Sequence, residues 1–427
     1  MALVLSGVTA SAQSASDVAG NIDPLFQGLL AQPASFDNTL KYGVSATQAG
    51  DIESAIGTFE QLLFYNPTLS RVRFELGVLY YRLGSYDMAR GYFQSALEMK
   101  DISADMRQKA DEFLAVIDKK LQPDQFSGFA QAGLRYQTNA SAGAGPQPAL
   151  ASGLTFDKRF FAQSDWNGFG AFGLNYSHDF GNQRGDTFEA TILGYDAQQF
   201  TLHQFDIGLM ELRAGPRFAI SADGANGATL KPYAIATGAV LADAPYYGGV
   251  GGGVTMHANV GNVALDPYVE IVQQSFRNSS FYPLASGLSG TQSTYALAAN
   301  GPIFAGLDWQ SRVAFAHAND VFDPYSYNRY SADVWLPWKF TMAGDSRAWT
   351  LTPTAGVSRW LYKAPDPAID PTTTQHSLEW RVGLGLDVPI WQQFTLGLLV
   401  EYRTVSSNVA VFSMHDLAVT AGPALKF

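Results

Sequence analysis

The sequence predicts an α+β chain, in which a short helical repeat region is followed by a transmembrane antiparallel β-barrel of about 14 strands. Three observations predict it. Apolar and charged residues take turns with a period of two along the carboxy-terminal strands. Nearer the amino terminus the period becomes helical and a repeat of 34 residues appears. Charged residues make up only 15 % of the chain, yet no run of about 18 apolar residues could cross a bilayer as a helix.

At 427 residues there is room for one small domain and one large barrel, or for two or three ordinary domains. The 41 Gly and 13 % aromatic residues suit closely packed strands with interfacial girdles. The sequence contains no Cys, which excludes a disulfide framework and a thiolate metal site. A net charge of −11 argues against a nucleic-acid partner, because phosphate contacts need a basic surface.

Residues 1–13 read as the remnant of a signal peptide. Leu3, Val4 and Leu5 are apolar, and Ala10-Ser11-Ala12 offers a cleavage site before Gln13 with no positively charged start ahead of it. Residues 14–35 read as a linker or a short helix around Leu25 to Leu30.

From 36 to 121 the pattern is helical. Gly43, Ala55 and Phe59 recur 34 residues later as Gly77, Ala89 and Phe93, with Asp101 in the place of Pro67, and the second copy adds Leu76, Tyr80 and Ala96. These positions match the tetratricopeptide repeat. The small residues let two antiparallel helices approach, and Phe59 and Phe93 are expected to fill the wedge between successive pairs. A further helix near 103–121, with Lys119 and Lys120 in its last turn, should cap the second repeat. An array this short is expected to lean on the barrel or on a partner. Its concave face near Tyr42, Tyr80 and Tyr81 is the expected substrate groove.

Residues 126–427 read as the barrel. In the last strand Leu417, Val419, Ala421, Pro423, Leu425 and Phe427 form an apolar set, with Ala418, Thr420, Gly422, Ala424 and Lys426 between them. Such a strand needs partners on both edges in oil, hence a closed barrel. Phe427 is read as its barrel-assembly signal. Trp380, Val382, Leu384, Leu386 and Val388 likewise alternate with Glu379, Arg381, Gly383, Gly385 and Asp387. Fifteen strand segments can be marked, at 127–138, 152–163, 167–180 and onward to 413–427. An even number is required if both chain ends share a compartment, so 14 strands are expected, with 16 as the fallback and the error placed between Asn167 and Ile220. Short turns such as 260–263 and 389–392 fall on one side, longer loops such as 278–290 and 364–376 on the other. Trp166, Trp309, Trp338, Trp349 and Trp391 should then gather at the periplasmic interface.

Candidate chemistry is sparse. His178-Asp179, and His317 with Asn319 and Asp320, are read as polar residues where strands enter outer loops rather than as a hydrolase. The glycines between Gly248 and Gly253 lack the Lys and following helix of a phosphate loop and read as a close-packed strand. Asp308, Arg312, Glu379, Arg381, Asp387, Glu401 and Arg403 should line the lumen, either as cross-strand ion pairs that fill it or as a polar channel wall of mixed sign. No cofactor, metal or catalytic residue is expected.

Helical repeats joined to an outer-membrane barrel resemble the surface lipoprotein assembly modifier family. Tyr136-Gln137-Thr138-Asn139 looks like the Tyr-x-x-Asn motif of that family's first strand, and Gly215-Pro216-Arg217 like a Gly-Pro element of its later strands. The resemblance implies a 14-stranded outer-membrane barrel, with its helical part in the periplasm, that assists export of a protein or lipoprotein. Its partners would be membrane lipid, the barrel-assembly machinery and the cargo. The layout also resembles exopolysaccharide exporters, which generally carry more repeats and a lumen of one charge sign. A polysaccharide or solute channel, or a structural barrel without transport, are the alternatives.

Overall fold

Small residues decide how the helices meet. The computed structural model describes residues 36–145, 150–153, 161–182, 184–221, 227–342, 344, 347–391 and 393–427, in two units that divide between Gln122 and Pro123. The proposed leader and linker lie outside the described residues. The first unit holds α1 Phe36–Ala49, α2 Ile52–Tyr65, α3 Ser70–Arg82, α4 Tyr86–Leu97 and α5 Ala104–Leu121. Asp51 starts α2 by accepting from the Ser54 amide at 3.1 Å, and Ser103 starts α5 through the Met106 amide at 3.2 Å.

A Cβ on Gly43 would stand 2.6 Å from the Phe59 ring, and one on Gly77 2.8 Å from that of Phe93. The same contact therefore recurs one repeat later. Each ring lies on the glycine of its own helix pair, where the missing side chain makes the slot that the ring enters, and also packs toward the element that follows, Phe59 sharing a cluster with Val72 and Leu76 of α3. Phe93 also stacks on Phe113 of α5 at 5.0 Å, while Ala110 and Ile117 are fully buried. Arg107, Gln108, Asp111 and Glu112 stay exposed, so α5 has one oily and one polar face, as a cap requires.

The second unit is built from β1 Asp124–Gln137, β2 Asp165–Asp179, β3 Thr187–Gln199, β4 Ile207–Ala219, β5 Thr229–Leu241, β6 Ala244–Val260, β7 Val263–Phe276, β8 Gly290–Phe304, β9 Leu307–Asp320, β10 Tyr327–Trp335, β11 Trp338–Thr341, β12 Ala348–Pro365, β13 Thr374–Pro389, β14 Phe394–Ser407 and β15 Met414–Lys426. Each segment pairs antiparallel with its neighbours, and β1 pairs with β15, so the sheet closes. Both β10 and β11 lie between β9 and β12, so fifteen segments occupy fourteen positions. Leu336-Pro337 separates them because proline has no N–H for the ladder. The Leu336 amide reaches Pro353 O at 3.0 Å, and Pro337 O accepts from the Asp308 amide at 3.1 Å.

The surplus segment is 152–163, not one between Asn167 and Ile220. Of that stretch 154–160 lie outside the described residues, and the rest holds a turn and one bridge from Phe161 to Ala144. A turn at Ala151-Ser152 explains why alternation alone misleads there.

The connections at the end where β1 begins include the two-residue turns 261–262 and 305–306. Those at the other end include 277–289 and 366–373. Ala242-Asp243 breaks the asymmetry as a two-residue turn at the long-loop end, with φ of 51° and 58°. Trp309, Trp338, Trp349 and Trp391 gather at the short-turn end, but Trp166 pairs with Tyr136 at the opposite one. The expectation misplaces it because β1 pairs directly with β2, which therefore starts at the long-loop end.

Along β13 and β14 the outward side chains Trp380, Val382, Leu384, Leu396 and Leu398 are exposed, while Glu379 on the alternate face is 4 % exposed. Exposure is thus inverted from that of a water-soluble sheet.

Candidate functional site

The inner wall of the barrel concentrates charge by simple alternation. Glu379 and Arg381 share one face of β13 because they are two residues apart, and the register sets Arg403 of β14 beside Arg381. Arg403 Nη2 donates to Glu379 Oε2 at 3.1 Å, and Arg381 donates to the other carboxylate oxygen. Arg381 Nη2 continues to Asp333 Oδ1 at 2.6 Å and its Nη1 to Ser358 Oγ at 3.2 Å. Gly356 lies beneath this network, where a Cβ would stand 2.9 Å from Arg381 Nη2. Sequence reasoning missed Asp333 and Gly356, since neither stands out without the register.

A second network occupies β3, β4, β5 and β7. Arg213 donates to Glu211 and to Glu270, each at 2.7 Å, and Tyr233 donates its hydroxyl to Glu270 at 2.8 Å. Glu189 receives Arg217 and Lys231, both at 2.9 Å. Sequence reasoning missed this wall, although Glu211-Leu212-Arg213 repeats the spacing of Glu379-Trp380-Arg381. With β10 and β11 sharing one place, β5 and β13 are places five and twelve of fourteen, so the two networks face each other across the bore. Glycines keep β6 low between β5 and β7 within the second network: a Cβ on Gly253 would meet the Tyr233 ring at 2.8 Å.

The other proposed wall residues are distributed differently. Arg312 donates from Nε to the Tyr268 hydroxyl at 2.7 Å, and Asp308 lies 3.9 Å from Lys339 Nζ. Asp387 and Glu401 share the inner face by register but make no hydrogen bond or ion pair among the described residues. Glu401 therefore does not join Glu379, Arg381 and Arg403. The histidines lie at opposite ends: His178 meets Asp124 at 2.8 Å where β1 begins, whereas His317 meets Asn328 at 2.8 Å near the long loops. The placing of both at the outer loops is corrected for His178, again because β2 descends.

At the long-loop end Asp416 accepts from the Asn139 amide at 2.8 Å and from Thr138 Oγ1 at 3.0 Å. Asn139 is buried and exchanges hydrogen bonds with Gly143 at 2.8 and 3.0 Å, so the asparagine of the Tyr-x-x-Asn stretch ties a loop to the barrel seam. Pro216, of the Gly-Pro element, falls opposite Pro232 where the β4–β5 ladder is interrupted, both residues lacking N–H. Loops then pack on one another: Ala144, Val409 and Val411 form an apolar cluster joined by Leu150 and Ile369. A cavity of about 250 Å³ beside it is lined by Tyr325, Tyr327, Tyr362, Asp366, Asp370 and Phe412. The Tyr282 hydroxyl reaches Gln204 O at 3.1 Å, and burial pushes its pKa up to about 12.

In the helical unit the three proposed groove tyrosines part company. Tyr42 is buried, and Tyr81 packs edge-on against Phe113 at 5.1 Å. Helix packing thus withdraws Tyr42 from the surface, whereas Tyr81 stays half-buried, as Tyr80 does. Tyr80 stacks on Tyr92 at 5.4 Å, and their hydroxyls donate to one Glu60 oxygen at 2.7 and 3.1 Å. Burial, then the Glu60 carboxylate, pushes the Tyr80 pKa up to about 12. Phe64, 81 % exposed, and Tyr65 stand out on the end of α2.

The geometry defines a tetratricopeptide-like helical unit followed by a closed 14-stranded antiparallel barrel. No protein-family model and no curated protein matches the chain. Among solved structures, a tetratricopeptide repeat protein from Parabacteroides merdae is 20 % identical over 25 % of this chain and 41 % of its own, with a TM-score of 0.23. This chain therefore spans less than half of that protein. OccK9 of Pseudomonas aeruginosa is 11 % identical over 71 % of this chain and 99 % of its own, with a TM-score of 0.35. A bacterial polysaccharide outer membrane secretin is 10 % identical over 70 % and 98 %, also at 0.35. At these identities and scores no function is carried across.

Proposed function

We propose that this chain is an outer-membrane barrel with its helical unit in the periplasm, and that it assists passage of a protein or lipoprotein to the cell surface in the manner of the surface lipoprotein assembly modifiers. An exposed apolar belt around a charged interior is stable when hydrocarbon lies outside and water inside. Short turns at the end where Asp124 begins β1 support a periplasmic assignment for that end, and for the unit that precedes it.

One observation carries the choice of cargo. The two facing networks neutralise themselves: Arg381 and Arg403 meet Glu379 and Asp333 on one wall, and Arg213, Arg217 and Lys231 meet Glu189, Glu211 and Glu270 on the other. A conduit selecting ions or an acidic sugar polymer would use one sign. The exposed Phe64-Tyr65 pair supports contact with an unfolded or apolar chain. The test is surface labelling of candidate cargo, encoded by neighbouring genes, in cells whose barrel lacks residues 36–121. Lost exposure supports the reading, and unchanged exposure overturns it.

A solute or polysaccharide channel is the second reading, favoured by the tyrosine- and aspartate-lined cavity, whose ring faces and carboxylates suit hydroxylated ligands. Single-channel recording separates the two: a steady open conductance blocked by oligosaccharide supports the channel.

A further inference from the structure

We propose that the outer surface of β6 to β12 holds a lipid, with its anionic phosphate-bearing headgroup on Arg359 and an acyl chain in the groove beside it. This rests on the reading of the barrel as bilayer-embedded. Arg359 stands opposite Tyr330 and Leu378, both outward and exposed, whereas its neighbours Ser358 and Trp360 belong to the inner face. It is exposed and makes no hydrogen bond or ion pair with any described residue. Lys363, on the same face of β12, is held by Asp323 at 2.7 Å.

A lipid-facing guanidinium costs free energy according to its depth. Leu378 is the fifth residue of β13 from the long-loop end, which sets Arg359 close to one interface rather than at mid-depth. A planar fork of donors there matches a phosphate, which can take two parallel N–H bonds. The groove supplies the second half of the site. It has a volume of about 820 Å³, and among its lining residues, which include Val254, Val269, Leu297, Val313 and Ala332, Arg359 is the one charged group. In-register rings of Tyr295, Phe315 and Tyr330, 6.2 and 5.1 Å apart, run along it toward Arg359. Ala332 keeps the floor low beside the larger rings. Charge at one end and an apolar trough at the other describe an amphiphile.

The test uses the full chain in nanodiscs of phosphatidylcholine doped with phosphatidylglycerol, released for native mass spectrometry. Wild type is expected to retain phosphatidylglycerol at least about 10-fold over phosphatidylcholine. Arg359→Gln should abolish the preference, and Ala332→Phe, which fills the trough and keeps the charge, should also lower retention. Both variants are checked for the heat-dependent gel shift of a closed barrel. Equal retention by wild type and Arg359→Gln overturns the site, as does full competition by inorganic phosphate, which would mean a headgroup contact without the chain. A change confined to oligomeric state on mutation also overturns it, in favour of a second copy on this face. Failure of wild type to float with liposomes would instead sink the bilayer reading, independently of Arg359.

Discussion

Gly77 holds its place by what it lacks. Its slot is occupied by Phe93, so Gly77→Leu must displace a fully buried ring that also supports Phe113. Overpacking of this kind costs about 1–3 kcal/mol. Circular dichroism at the helical minimum should therefore show earlier melting, with the barrel unaffected. Gly91 in α4 is the control, since nothing lies within 4 Å of a Cβ built there and Gly91→Ala should be neutral or stabilising. In the barrel wall Glu379 receives two guanidinium groups. Glu379→Gln removes the charge that both share, and losing hydrogen bonds to a charged group whose partners are partly exposed costs about 1–3 kcal/mol. The temperature at which the folded band disappears from an unboiled gel should fall.

At the scale of elements, the strands are two-faced ribbons whose sides cannot be exchanged. Val382→Arg places a cation on the outer side of β13, where the neighbouring Trp380 and Leu384 are exposed and apolar. The expected loss is about 2–4 kcal/mol for a residue near mid-depth. Arg381→Lys, on the inner side, should leave membrane insertion intact. Co-sedimentation with liposomes distinguishes the two, and equal insertion would contradict the assignment of sides. These faces are legible because a period of two records them in the order of residues, as the repeat of Gly43 and Phe59 in Gly77 and Phe93 records the helical unit. The segment marked at 152–163 misleads because alternation over a few residues does not require a strand, and Ala151-Ser152 form a turn. The pairing of Asp333 with Arg381 is not legible, since it depends on the register of β10 and β13 against β12. The burial of Tyr42 is not legible for a related reason: helical spacing marks a stripe but not its depth.

At the scale of the whole molecule the chain divides between Gln122 and Pro123 into units whose buried apolar clusters share no residue. Two-state behaviour is not expected across such a boundary. Scanning calorimetry in detergent should show a lower transition for the helices and a higher one for the barrel, and deletion of residues 36–121 should erase the first alone. A single shared transition would contradict independent units.

The meeting of β1 with β15 has a kinetic consequence. Arg135 and Thr420, which touch across that joint, are 285 positions apart in the chain. Every hairpin around the ring can form from adjacent sequence, whereas this last ladder must gather distant partners and bear nearly all of the loop-closure entropy. Until it forms, two raw edges remain open to strands of other proteins, so the slowest event in folding is also the one that leaves the chain most vulnerable.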